Sequence, residues 1–104
     1  MTNADFDTLL GERLAKIGSV LASKGQEYAS TTDRLHNFKR AADILRGSRF
    51  QACGAFMTKH LVSVFDLIEQ RSRGVFVDPA LVDEKIGDAI NYLILLEALF
   101  AEKE

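Results

Sequence analysis

Apolar residues recur at intervals of three and four along most of this chain, the period of amphipathic helices and not the alternation of strands. Phe6, Leu9, Leu10, Leu14, Ile17, Val20 and Leu21 form the first stripe, with Glu12, Lys16 and Ser19 mostly between them. They predict a helix over about 5–28, weakened at Gly11, Gly18 and Gly25. Its line Leu10-Leu14-Ile17-Leu21 is expected to be the buried one, running on into Lys24 and Tyr28. A Ser/Thr-rich break follows at 29–33. Leu35, Phe38, Ala42 and Leu45 then predict a short helix over 34–46 that Gly47 closes. Ser48 with Gln51 reads as a capping box opening a long helix over 48–73. That helix ends in the basic, glycine-terminated run Arg71 to Gly74, which suits the helix dipole.

The last helix is predicted over 79–103. Asp78 is its N-cap and Pro79 its first residue, where a missing N–H costs nothing. Leu81, Val82, Ile86, Ala89, Ile90, Leu93, Leu96 and Phe100 recur at helical spacing, and Leu95 and Leu99 widen the stripe. An apolar arc this broad belongs to a central helix, in a bundle or an oligomer. The expected architecture is all-α: one domain of three long helices and one short one, completed by pairing of the last helix with its mate in a homodimer or a dimer of dimers.

Composition narrows the class. A 104-residue chain with 47% hydrophobic and 27% charged residues has the make-up of one small folded domain. A net charge of −2 argues against binding nucleic-acid backbones, which calls for a basic surface. One cysteine, Cys53, excludes an internal disulfide and a cysteine-rich zinc site, and its place on an apolar face reads as a small core residue. The acidic start MTNADFDTLLGERL lacks the basic end of a signal peptide, and no apolar run has membrane-spanning length, so a cytoplasmic protein without a membrane partner is expected.

Candidate chemistry centres on the last helix. Glu84, Asp88 and Asn91, at i, i+4 and i+7, fall on one stripe with Tyr92 beside them. Two carboxylates and an amide oxygen suit Mg²⁺, a hard cation that keeps several waters. The same stripe also reads as a solvated face, because it lies opposite the centre of the apolar arc; Leu81 and Leu95, in line with it, argue the other way. Lys24 either snorkels out at a helix end or points into a polar pocket. His60 shares a face with Cys53, Phe56, Val64 and Leu67, as a hydrogen-bonded core histidine or as a functional one. Lys59 lies on the polar stripe beside it.

Glu84-Lys85-Ile86-Gly87-Asp88, followed by an apolar helix, resembles the acidic motif of MazG-like all-α nucleotide pyrophosphohydrolases. The longer string through Asn91-Tyr92 to Leu96, with Lys24, Glu27-Tyr28, Asn37-Phe38 and Lys59, is more similar to phage-type nucleotide-modification-associated domains, considered relatives of that superfamily. The chain departs from the pyrophosphohydrolase pattern at Lys85, where an acid would fall, and has no E-x-x-E; Asp66 and Glu69 are the nearest substitute. The resemblance implies a nucleotide-binding protein, with Mg²⁺-dependent pyrophosphohydrolysis as its chemistry. Glu84 and Asp88 would be the catalytic metal ligands with Glu27 as a third acid, Lys24 and Lys59 the phosphate contacts, and Tyr28, Asn37, Asn91 and Tyr92 the pocket that shapes or reads the nucleotide. The alternative from a different class is a non-catalytic helical assembly or adaptor protein on a degenerate version of the fold.

Overall fold

The computed structural model describes residues 1–27 and 33–103, with residues 25–27 described by their backbone alone. The described residues form four helices: α1 Asn3–Glu27, α2 His36–Leu45, α3 Arg49–Ser72 and α4 Pro79–Ala101. No strand occurs among the described residues. The all-α reading therefore holds, with each helix end within two residues of its expected place. No helix of the described residues is long and apolar enough to cross a membrane. The chain divides into two units, Met1–Arg34 and Leu35–Glu104.

In the first unit, α1 begins with a reciprocal cap that the hydrophobic pattern does not announce. The Asp5 N–H donates to Thr2 Oγ1 at 3.1 Å, and the Thr2 N–H donates to Asp5 Oδ2 at 3.2 Å. The side-chain guanidinium of Arg34 donates to the Leu21 carbonyl at 3.1 Å, tying the end of the unit back to the helix. The line expected to be buried is divided. Ile17 is buried and Leu21 half-buried, whereas Leu10 and Leu14 are exposed. Periodicity marks a face fit for burial; it does not name what covers it.

In the second unit, α3 packs against both α2 and α4. Phe50 meets Phe100 and His60 meets Tyr92, so α3 and α4 run antiparallel. The core is Leu35, Phe38, Cys53 and Leu99, with Tyr92, Leu95 and Leu96 packed on it. Burying a side chain the size of Leu99 stabilises by about 1.5–3 kcal/mol. Beyond the end of α4, Glu102 bridges the other two helices: Oε2 accepts from Lys39 Nζ at 2.7 Å and Oε1 from an Arg49 guanidinium nitrogen at 2.8 Å.

The helix ends follow local chemistry. Ser48 and Gln51 form the expected capping box, each side chain accepting the other's backbone N–H. Asp78 accepts from the Ala80 N–H at 2.9 Å ahead of Pro79. Gly74, at φ 77°, takes the left-handed conformation that ends α3. The end of α2 differs from expectation: Arg46, not Gly47, adopts the left-handed conformation, at φ 54°. Gly47 is instead small for reasons of space, because a Cβ there would lie 2.8 Å from the Gln51 Oε1 that the capping box holds.

Candidate ligand site between the third and fourth helices

Each turn of α4 brings one member of the polar stripe to a different depth. Glu84, at the helix start, is 61% exposed in its side chain, and its neighbour Lys85 lies 3.9 Å away. One turn on, Asp88 is 40% exposed. Asn91 goes deeper: its Oδ1 is buried and has no hydrogen-bond partner. Leu95, next in line, packs on the core. The stripe thus descends from solvent into the protein, and the wholly solvated reading applies to Glu84 alone.

His60 of α3 closes the inner side of this slope. Its Nδ1 lies 3.7 Å from Asp88 Oδ2, an approach longer than a hydrogen bond that becomes an ion pair when the imidazole is protonated. The imidazole stacks on Tyr92, with ring centroids 4.7 Å apart and planes 26° from parallel. Tyr92 in turn presents its ring to Phe38 at 6.4 Å in an edge-on arrangement. Phe38 also lies 5.9 Å from Phe56. A run of flat side chains from the core therefore ends at His60, whose imidazole lies beside the half-exposed Asp88 carboxylate. Asn91, the residue before Tyr92 on α4, adds a buried acceptor without a partner.

The other sequence candidates are placed as follows. Lys59 precedes His60 and points to solvent, a turn of about 100° separating successive side chains; its carbonyl accepts from Ser63 Oγ. Asn37 is exposed on α2, next to the inward-facing Phe38. Lys24 is exposed on α1 in the first unit. The Glu27 side chain and all of Tyr28 lie outside the described residues.

A resident metal does not fit the donors in view. Among the described residues, no three His, Cys, Asp or Glu side chains converge as a cation site. Glu84 and Asp88 share one helix, and an imidazole nitrogen lies 3.7 Å from Asp88, whereas Mg²⁺ calls for oxygen donors in octahedral array. Cys53 contributes no chemistry here: it is fully buried, and burial pushes its thiol above the ordinary value, away from the reactive thiolate.

Two members of this arrangement were hard to read from sequence. The His60–Asp88 approach joins residues of different helices, and no local spacing encodes it. The buried Asn91 oxygen had one signal, Leu95 in line with it four residues on. Compared with family models, curated proteins and solved structures, the chain has no match.

Proposed function

We propose that this chain is a small nucleotide-binding protein of the MazG-like, phage-type class, with its site at the His60–Asp88–Asn91–Tyr92 cluster. The observation that carries the reading is Asn91 Oδ1, buried without a partner. A buried carbonyl left unpaired costs about 1–3 kcal/mol, and a ligand bearing an N–H group, such as a nucleobase, recovers that cost on binding. Tyr92, the next residue of α4, stacks on His60 and supplies an aromatic surface. Lys59 and Asn37, exposed in the free protein, are the side chains of the second unit that this reading assigns to phosphate and pocket rim.

Pyrophosphohydrolysis is the reaction the resemblance attaches to such a site: water attacks the α–β linkage of a nucleoside triphosphate and pyrophosphate leaves. Mg²⁺ that arrives with a triphosphate needs only one or two protein carboxylates, and Glu84 and Asp88 are the two assigned to it. When bound, the ion would neutralise phosphate charge. No further role for it follows from the described donors.

Calorimetric titration of nucleoside mono- and triphosphates, with and without Mg²⁺, tests the reading, alongside an assay of pyrophosphate release. Binding by the wild type, lost in Asn91→Leu, is expected. Absence of binding across the panel, or unchanged binding by Asn91→Leu, would overturn it. In that event the assembly-protein reading stands, and the exposed apolar surface of α4 is what favours it. In both readings the chain acts as a homo-oligomer.

A further inference from the structure

Three helices meet at one carboxylate. Glu102 stands where the chain leaves α4, at φ −64° and ψ 131°, and its two oxygens are held separately. Oε2 accepts from the Lys39 ammonium of α2, and Oε1 from the guanidinium of Arg49 at the start of α3. All three side chains are part-exposed. The surroundings are basic in a chain whose net charge is −2. From His36 to Arg49 the charged residues are Lys39, Arg40, Arg46 and Arg49, against the acid Asp43. Arg46 holds a left-handed backbone at this corner, φ 54°, where a glycine would be at ease. Arg49 opens α3, so the positive end of that helix dipole adds to the two side chains. The Arg49 guanidinium also lies 5.9 Å from the Phe50 ring centroid, and Phe50 is stacked on the exposed Phe100.

We infer that Lys39 and Arg49 form a binding site for a phosphoryl group, which Glu102 occupies in the free chain as a tethered stand-in. The carboxylate shows what the two cations are spaced to hold: two oxygens on one central atom, one for each. A phosphoryl group presents its oxygens in the same way. It carries about two negative charges at neutral pH, where a carboxylate carries one, so it matches two cations better than Glu102 does. Guanidinium and ammonium groups are the common side-chain partners of phosphate. Exchange asks little of the protein. The Glu102 N–H donates to the Ala98 carbonyl at 3.0 Å, but its side chain lies beyond the last helical residue. That side chain can swing away while the Phe50–Phe100 pair keeps the helix end in place. A phosphate monoester meets an apolar surface beside Arg49 in the same pair; free phosphate meets the cations alone. Asp88 is about 21 Å back along α4, so this inference goes beyond the nucleotide reading and does not rest on it.

Phenyl phosphate, which has no nucleobase, and inorganic phosphate are the probes, titrated calorimetrically with chloride at matched ionic strength as the control. Glu102→Gln is expected to bind both about fivefold more tightly than the wild type, the handicap that two part-exposed ion pairs impose. Arg49→Gln added to Glu102→Gln is expected to abolish that gain. Tighter binding of phenyl phosphate assigns a monoester to the site, and equal binding assigns free phosphate. A second readout needs no variant: saturating phenyl phosphate is expected to shift the amide resonances of Glu102 and Lys103 in the wild type. The inference is overturned by an affinity that Glu102→Gln leaves unchanged, by a gain that survives the loss of Arg49, or by no binding of either probe to Glu102→Gln. Amide resonances that stay in place, or that chloride shifts equally, overturn it too. Nucleotide binding at Asn91 is decided by its own titration, so the two can fail separately.

Discussion

The two sides of α4 differ in what they ask of their surroundings. Inward, Leu99 is 2% exposed and has its apolar partners in the same chain. About a third of the way round the helix from that line, Leu93 is half-exposed, and Ile86, Ile90 and Phe100 lie near its direction. The inward side meanwhile carries the carboxylate and the unpaired amide. Hydrophobicity alone therefore does not tell which side of a helix a small domain keeps for itself. Here the mixed side does the folding of the second unit, while Leu93 and Phe100 on the other side stay exposed.

That contrast can be broken from either side. The largest effect is expected at Leu99→Ala, where a cavity opens between α3 and α4; unfolding in urea should show a loss of about 2–5 kcal/mol. Asn91→Leu should act in the opposite sense and stabilise by about 1–3 kcal/mol, because it removes an unpaired buried oxygen. A gain in stability together with a loss of nucleotide binding would mark Asn91 as a residue kept at a cost; a loss of stability would mean that its oxygen is satisfied in the folded protein. Glu102→Gln should cost about 1 kcal/mol, since its two ion pairs are part-exposed, and the cost should shrink as salt is raised. Smallest is Arg46→Gly, which relieves a left-handed backbone and should stabilise by about 0.5–1 kcal/mol in the same urea experiment.

What could be read from the sequence was what neighbouring residues decide. Ser48 with Gln51, Asp78 with Pro79, and Gly74 are local devices, and each appears where the chain spells it. The end of α2 shows the limit of such rules. A glycine beside a helix end suggests the left-handed residue, yet Gly47 is reserved for the room Gln51 needs, and Arg46 takes the strain. The candidate site was half legible. Asp88, Asn91 and Tyr92 stand out by spacing on one helix, but their depth depends on how α4 is rotated against α3, and a helical wheel has no fixed orientation. Lying opposite the centre of the apolar arc, the stripe has the appearance of a solvated face on a helical wheel. His60 stays open between a core and a functional role for a related reason: an imidazole on an apolar face acquires its meaning only from the carboxylate of another helix.

The order of the helices in the second unit also bears on time. Each packs on the one that follows it, α2 on α3 across the short link Arg46–Ser48, and α3 on α4 across residues 73–78. Contacts between neighbours in the chain cost little closure entropy, so this unit belongs among fast folders, with microseconds to milliseconds as its scale. Longer-range contacts also join α2 to α4: the Phe38–Tyr92 ring pair and, 63 residues from end to end, the Lys39–Glu102 bridge. It draws α2 to the end of α4 after the two hairpins exist, and so acts on the rate at which the unit opens more than on the rate at which it forms.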